Sequence, residues 1–343
     1  MSSGIVQLIA VGAQDEHIIG DPEISFFTST FKRHSNFSQS LEKQTIQGAV
    51  KNNSMSSIRF ERNGDLLGYT YFTLDNNTNS VDIQDWGRVI DKVELLIGGQ
   101  VIDVQDHDFT EKIAIDTYAQ NVTKSSNGTH PGASARSYFY PLRFFFCEGP
   151  QSAIPLVALQ YHTVDLRIYW GPEASNYNVE AYANYYYLDN EERGMMTSRK
   201  HDILITQVQK NIPSGELVQE LMFNHPVKYI ACSNTNSEST LTSIDNKIKM
   251  SINGTDIGAY KFAKPHYVDI MSYYHTNFVT SPDFFLHCFC LNTSSLQPSG
   301  SLNFSRLDSV KIHSETKPLI DPIYGVNYNI LRVNNGMAGL MYA

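Results

Sequence analysis

The sequence predicts an all-β protein made of two similar β-rich units in tandem. When the chain is shifted by 143 positions, residues 155–188 align with residues 298–331 without a gap, and six of the 34 positions are identical. Ordinary composition predicts about two identities in such an overlap. In both copies a strand-like run leads through a loop into a second strand-like run rich in Tyr, which is typical of an internal repeat. The identical pairs are Pro155 with Pro298, Leu159 with Leu302, Asp165 with Asp308, Asn184-Tyr185 with Asn327-Tyr328, and Leu188 with Leu331.

Composition agrees with this fold class. The 343 residues suit two domains of about 150 residues each. Hydrophobic residues make up 41% of the chain, which is enough to build cores and argues against disorder. Aromatic residues are plentiful, with 20 Tyr and 18 Phe, whereas charged residues make up only 18%. This mixture favours strands and long turns over helices.

The net charge of -9 argues against a surface that binds nucleic acid directly, because phosphate binding needs clustered Lys and Arg. The four cysteines, Cys147, Cys232, Cys288 and Cys290, form no dense framework. The N-terminus lacks the basic and apolar regions of a signal peptide, and no apolar run reaches the roughly 18 residues that span a bilayer. We therefore expect a soluble protein with free thiols, made in a reducing compartment.

Two hairpins are predicted by alternation of apolar residues before a two-residue turn signal. Val93, Leu95 and Ile97 alternate before Gly98-Gly99, and the run 248–252 precedes Asn253-Gly254. These hairpins lie about 155 positions apart instead of 143, so loop lengths differ between the two units. A short helix is expected after each hairpin, around residues 112–118 and 268–274.

Several short segments near the start of the chain carry a family resemblance. In order and spacing they resemble the opening of the major capsid proteins of large nucleocytoplasmic DNA viruses, as in the algal viruses and iridoviruses. Later segments of this chain are also similar to that family, so the resemblance covers essentially the whole chain. The segments are Gly12-Ala13-Gln14-Asp15, Gly20-Asp21-Pro22, Phe26-Phe27, Arg33-His34-Ser35-Asn36-Phe37, Ile154-Pro155-Leu156, Phe223-Asn224-His225-Pro226-Val227-Lys228 and Asn335-Gly336-Met337-Ala338-Gly339-Leu340.

The resemblance implies a double jelly roll: two tandem eight-stranded antiparallel jelly rolls, standing as upright barrels, with short helices in loops. The expected boundaries are an N-terminal arm at 1–23, a first jelly roll at 24–190, a linker at 191–200 and a second jelly roll at 201–343. The Gly and Asp-Pro pattern of the arm indicates an extended segment with turns. Because the chain is shorter than a typical member of the family, we expect shortened loops above each barrel.

The function implied by the resemblance is structural, and the protein is expected to be made in the host-cell cytoplasm and to reside in the virion capsid. Three chains with two barrels each would form a pseudo-hexameric capsomer of an icosahedral shell, and the N-terminal arm would contact neighbouring capsomers or minor capsid proteins. Relatives also have an inner viral membrane beneath the shell. Two alternatives remain open at this point: a minor capsid or scaffold paralogue of the same family, and a carbohydrate-binding β-sandwich, since jelly rolls also serve as lectins.

No catalytic, cofactor or metal site is predicted. Gly98-Gly99 lacks the Lys-Ser/Thr of a phosphate-binding loop. Gln105-Asp106-His107-Asp108 is interpreted as a polar loop after the first hairpin. In His287-Cys288-Phe289-Cys290, a strand would place the two cysteines on one face and His287 on the other, so the three cannot converge on a metal and the cysteines are expected to be small core residues. The chain is therefore not expected to be an enzyme.

Candidate modification sites come from eight Asn-x-Ser/Thr sequences. Most should be accidental in a chain this rich in Asn. Asn127 and Asn292 lie in predicted loops, and they are the two candidate glycosylation sites.

Overall fold

The computed structural model describes residues 3–74, 86–118, 120, 139–233, 240–277 and 283–342. The chain divides into two compact units, Met1–Asn36 and Phe37–Ala343. Within the described residues, no helix is both long enough and apolar enough to cross a membrane.

The N-terminal unit contains two short helices, Ser3–Ile9 and Glu16–Ile19, where the sequence predicted an extended arm. The helices are joined by a turn in which the Gly12 backbone N–H donates to Oδ2 of Asp15 over 2.9 Å. Among its described residues this unit contains no strand, and local helical hydrogen bonds satisfy part of its backbone instead. The prediction of an extended arm was therefore wrong for these residues.

Within the described residues, the second unit contains twenty strands, ten before and ten after the helix Asn190–Ser198. The first ten are β1 (Phe37–Gln44), β2 (Ile46–Gln47), β3 (Met55–Phe60), β4 (Leu66–Leu74), β5 (Ile90–Ile97), β6 (Gln100–Asp106), β7 (Phe139–Pro141), β8 (Ile154–Pro155), β9 (Val164–Trp170) and β10 (Val179–Leu188). The second ten are β11 (His201–Asn211), β12 (Val218–Glu220), β13 (Pro226–Ser233), β14 (Lys247–Ile252), β15 (Thr255–Phe262), β16 (Phe284–Cys288), β17 (Leu302–Asn303), β18 (Val310–Ser314), β19 (Ile323–Asn334) and β20 (Met337–Leu340).

Short helical turns fill the connections. They are Ala114–Thr117, Phe145–Glu148, Ala263–Pro265 and Met271–His275, the π-helical turns Phe109–Ile113 and His266–Ile270, and the 3-10 turns Trp86–Arg88, Pro150–Ser152, Leu156–Ala158, Ala174–Asn176 and Phe304–Arg306.

Both halves share one strand order, apart from the additional strands β2 in the first half and β20 in the second. The first half has one sheet ordered β1-β10-β4-β7, with β8 also on β4, and a second ordered β2-β3-β9-β5-β6. The second half has β11-β19-β13-β16, with β17 on β13 and β20 on β19, and β12-β18-β14-β15. In each half, strands that follow one another along the chain often lie in opposite sheets, which is the jelly-roll arrangement. The prediction of a double jelly roll is confirmed, with each jelly roll forming an open two-sheet sandwich.

Period-two patterning explains which side chains fill the cores. On β9, Val164, Leu166, Ile168 and Trp170 are buried and the residues between them are more exposed. The same alternation on the facing sheet supplies Ala181, Ala183 and Tyr185 from β10. Because alternate strand residues point to opposite faces, each jelly roll places one apolar face of each sheet in its core.

The two predicted hairpins are confirmed, and so are the helices after them. Gly98 and Gly99 have φ of 58° and 82°, and Asn253 and Gly254 have φ of 47° and 79°. Positive φ at both central residues is the two-residue turn whose twist matches antiparallel strands. We call residues 109–118 and 266–275, which contain these helical turns, the first and second helical segments.

The internal repeat is confirmed for individual strands, but a single gapless shift of 143 positions does not align all of them. Strands β8 and β17, which pair with equivalent ends of β4 and β13, are 148 positions apart. Strands β10 and β19 are aligned by their pairing at an offset of 142. Connecting loops of different length therefore separate elements that are equivalent in space.

Candidate assembly surfaces

The two jelly rolls are joined by an apolar contact that we call the internal seam. The first helical segment, from the first jelly roll, packs on the outward face of the β13-β16-β19 sheet of the second. Phe109 is fully buried there, with its ring centroid 5.8 Å from that of Tyr118 and 5.9 Å from that of Tyr324. The buried residues of the seam are Phe109, Ile113, Ala114, Tyr118, Tyr229, Ala231, Phe284, Leu286, Cys290, Tyr324 and Val326.

Polar contacts along one side of the internal seam connect β6 to β11. The Val208 backbone N–H donates to Oδ1 of Asp103 over 2.8 Å. Nζ of Lys210 and the Tyr324 hydroxyl donate to Oδ2 of Asp106 over 2.6 Å and 2.7 Å. Because these bonds cross between jelly rolls at the edge of an apolar contact, they fix the relative position of the two halves.

Asp103 is a buried carboxylate within these contacts. It also accepts from the Val104 backbone N–H over 3.0 Å and from Nε2 of Gln105 over 2.9 Å. Burial raises the pKa of Asp103 to about 7, and the hydrogen bonds from Val208, Gln105 and Val104 oppose that rise.

On the outward face of the corresponding sheet in the first jelly roll, Tyr69 and Phe139 are 43% and 40% accessible among the described residues. On it, Tyr71 stacks on Tyr182 with a centroid separation of 5.7 Å and meets the edge of Phe139 at 6.4 Å. A cavity of about 840 Å³ lies over this surface, which we call the open aromatic face. Its main residues are Tyr69, Tyr71, Phe139, Pro141 and Tyr182, with Tyr186 beside them. Apolar surface of this extent on a folded domain is typical of an interaction site.

A second exposed surface lies on the second jelly roll. All eight residues of β15 are exposed, and β15 is the last strand of its sheet. The second helical segment follows it and exposes Ile270, Tyr273 and Tyr274, with Tyr273 80% accessible. An uncovered edge strand beside exposed aromatic rings is a surface that pairs readily with another chain.

The polar motifs noted in the sequence lie in the internal seam, in an ion pair and in the core of the second jelly roll. Asp106 belongs to the internal seam, and Asp108 forms an ion pair with Lys112 one helical turn later. Cys288 and Cys290 lie at the internal seam, whereas the His287 ring contacts Tyr267 in the core of the second jelly roll. Within the described ranges, no cluster of three or more His, Cys, Asp or Glu side chains has a metal-binding arrangement. All four cysteines are free thiols, as predicted.

Asn292, one of the two candidate glycosylation sites, lies in the loop between β16 and β17. Its Nδ2 donates to Oδ1 of Asn277 over 3.0 Å, and its Oδ1 accepts from the Ser294 backbone N–H over 2.8 Å. Asn127, the other candidate, lies outside the described residues.

Sequence reasoning did not identify the open aromatic face. Tyr69, Tyr71 and Tyr182 were read only as strand residues, because aromatic residues are common in strands. The available signal was alternation: Tyr69 and Tyr71 lie two positions apart on a strand whose other face is already apolar, with Phe72 fully buried.

Two jelly rolls with one strand order, a buried seam between them and wide uncovered aromatic surfaces define a structural protein of the double jelly-roll capsid class. Family models agree: residues 25–183 match the major capsid protein N-terminus, and residues 192–339 match the large eukaryotic DNA virus major capsid protein. The chain therefore belongs to the major capsid proteins of large eukaryotic DNA viruses, the structural proteins of the virion shell.

Individual relatives show the same relationship over the full length. The chain is 31% identical to the major capsid protein of Pyramimonas orientalis virus and 29% identical to that of Paramecium bursaria Chlorella virus 1, and each alignment covers all of both chains. Among solved structures, the quasi-atomic model of the PBCV-1 virus capsid superposes with a TM-score of 0.76 at 25% identity, covering 93% of this chain and 100% of the other. The Faustovirus major capsid protein shares the fold, with a TM-score of 0.64 at 13% identity and 94% coverage of both chains.

Proposed function

We propose that this chain is the repeating subunit of an icosahedral virion shell and that three copies form one pseudo-hexameric capsomer. The observation that carries this proposal is the pair of jelly rolls with the same strand order, fixed side by side by the internal seam. One chain supplies two similar lobes, so a ring of three chains has six lobes and a near-hexagonal outline. Such a unit tiles a surface with one kind of subunit.

The test of this proposal is the absolute mass of the purified protein, measured by light scattering after size exclusion. The expected species has about three times the 38.7 kDa of one chain. A monomer that persists at the highest attainable concentration would contradict the proposal.

The N-terminal arm, proposed here as residues 1–23, is assigned to contacts beneath the capsomer. Its apolar side chains are exposed, including Leu8 at 78% and Ile18 at 82%, and Phe26 and Phe27 just after it are exposed as well. Exposed apolar side chains at this density fit burial against a partner, which we assign to minor capsid proteins or neighbouring capsomers at the inner base of the shell. That position also places the arm towards an inner viral membrane.

Deletion of residues 1–23 is expected to leave the capsomer intact and to impair shell assembly. The reason is that both cores and both exposed surfaces lie within Phe37–Ala343. Light scattering measures capsomer mass, and electron microscopy of co-expressed shell components measures assembly. A second variant keeps the full-length chain and replaces only Leu8 and Ile18 with Ala. It should also impair assembly, because it removes exposed apolar side chains of the arm. Normal shells from the deletion variant would rule out this role for the arm.

Four further assignments complete the proposal. The chain acts as a structural protein and not as an enzyme. The first jelly roll spans 24–190, the linker 191–200 and the second jelly roll 201–343, with the linker coinciding with most of the helix Asn190–Ser198. Glycans, where the host attaches them, are assigned to Asn127 and Asn292. Because the net charge is -9, the subunit is assigned no direct contact with the genome.

A further inference from the structure

We propose that the N-terminal arm of one copy docks in a cavity at the end of the second jelly roll of another copy, with the helix Glu16–Ile19 as the docking element. The cavity has a volume of about 580 Å³, and we call it the end cavity. This inference rests on the proposed function of the arm, because it names the site at which the arm would act.

The end cavity combines apolar side chains with an exposed cation. Leu204 and Tyr342 line it and are 38% and 53% accessible. Arg306 and His225 line it as well, and the Arg306 side chain is exposed. Among the described residues, Arg306 forms no ion pair. A cation beside uncovered apolar surface favours an occupant with a carboxylate and apolar side chains.

The internal repeat identifies the equivalent position in the first jelly roll. Strand pairing places Asp65 there, where His225 stands in the second jelly roll. The Asp65 carbonyl oxygen accepts from the Val157 backbone N–H over 3.0 Å, and that of His225 accepts from the Phe304 N–H over 3.0 Å. Each of these donors lies in the 3-10 turn beside the cavity or its counterpart, so the two positions are structurally equivalent.

A helix binds at this position in the first jelly roll. Nε of Arg193, on the helix Asn190–Ser198, lies 2.9 Å from Oδ1 of Asp65. The same helix packs beside the 3-10 turn Leu156–Ala158. In the second jelly roll, β19 instead turns at Asn335-Gly336 into β20. The described part of the chain therefore supplies a helix after β10 but none after β19.

The charges at the two positions are reversed. The first jelly roll has the carboxylate of Asp65, which binds the cation of Arg193. In the second, His225 replaces that carboxylate, and Arg306 occupies the place held by Ala158 in the first. A helix that binds the end cavity should therefore carry a carboxylate where the helix of the first jelly roll carries a guanidinium.

The arm contains a short helix of this kind. Residues 15–24 include four acidic residues and no Lys or Arg. In the helix Glu16–Ile19, Ile18 and Ile19 are 82% and 53% accessible. Glu16 and Ile19 are three positions apart and lie on the same side of the helix. The carboxylate of Glu16 can therefore meet Arg306 while the isoleucines contact the apolar side chains of the end cavity.

The attachment of the arm allows it to reach another copy. The arm leads into β1 at Phe37, and strand pairing makes Phe37 the counterpart of Leu204 in the end cavity. Residues 20–36 connect the helix to β1 and span up to about 55 Å when extended. Because Ile18 and Ile19 are exposed in the single chain, we assign their burial to a second copy.

Peptide binding tests the site. The probe is a fluorescein-labelled peptide of residues 12–24, and the receptor is the full chain with Glu16→Lys/Ile18→Asp, whose own arm should not compete. Fluorescence anisotropy should show saturable binding. Adding Arg306→Glu to the receptor should weaken binding by about 10-fold or more, because repulsion replaces attraction, without changing its melting temperature. The matched control Lys51→Glu reverses an exposed cation outside the end cavity and should leave binding unchanged.

A charge exchange separates a specific contact from a damaged receptor. A peptide with Glu16→Arg should bind the Arg306→Glu receptor about 10-fold more tightly than the unaltered peptide does. Absence of saturable binding, or failure of the exchanged pair to recover it, would overturn this inference.

Cross-linking tests whether the two partners belong to different copies. The full chain with Ile18→Cys and Leu204→Cys, treated with a bismaleimide, should give linked species of two or more chains on a denaturing gel, and neither single variant should do so. A link confined to one chain, or no link, would overturn the assignment to a second copy. The capsomer mass is measured separately, so these results leave the trimer proposal standing, whereas a monomeric wild-type chain would overturn that proposal and not the peptide site.

Discussion

Phe109→Ala is expected to lower the free energy of unfolding by about 3–5 kcal/mol, the usual cost of removing a fully buried aromatic ring. The Phe109 side chain is 0% accessible and contacts the rings of Tyr118 and Tyr324. Its removal leaves a cavity between two jelly rolls that are held in place by their own cores, so the seam has little freedom to collapse. Chemical denaturation followed by fluorescence measures the change.

The matched control for this prediction is Ile212→Ala. Ile212 is 77% accessible, so its truncation should change the free energy of unfolding by no more than about 0.5 kcal/mol. A Phe109→Ala effect as small as the control's would mean that the internal seam contributes little to stability, and that the jelly rolls are joined mainly by their linker.

Asp103 is expected to make stability fall as pH rises from about 4 to about 7. Burial raises the pKa of this carboxyl from 3.8 to about 7, so within that window the folded chain holds a proton that the unfolded chain has released. The state that binds more protons loses stability as protons become scarce, and below and above the window Asp103 contributes no slope. At about 1.4 kcal/mol per tenfold change in proton affinity, the loss is at most about 4 kcal/mol.

Asp103→Asn is the variant that tests this effect. Its amide oxygen can still accept from the Val208 N–H, whereas its amide nitrogen replaces the oxygen that accepts from Nε2 of Gln105, so the variant loses that one hydrogen bond. The free energy of unfolding, measured at intervals between pH 4 and pH 8, should show a flatter profile for the variant than for wild type. Parallel profiles would show that Asp103 is not the group responsible.

The strands and hairpins were predictable because their signals are local. Alternation on β5 and β9 follows from a buried and an exposed face, and Gly98-Gly99 and Asn253-Gly254 supply the positive φ that the turns need. The family resemblance then selected the double jelly roll among possible β-sandwiches. The helices at Ser3–Ile9 and Glu16–Ile19 were missed because Gly and Asp-Pro punctuation describes turns but not what lies between them.

The surfaces were not predictable because they depend on residues far apart in the chain. Asp103 and Val208 are 105 positions apart, and nothing in the local pattern of either indicates the other. The internal repeat predicted part of this arrangement, because it identified two equivalent units. However, the gapless shift of 143 does not bring Tyr69 into register with Tyr229, because the β4 and β13 strands that carry them are offset by 160 positions.

Cryo-electron microscopy of the purified wild-type capsomer tests the central claim most directly. The account predicts a ring of three chains with six similar lobes, two from each chain. A monomer, or a particle with two-fold symmetry, would contradict it.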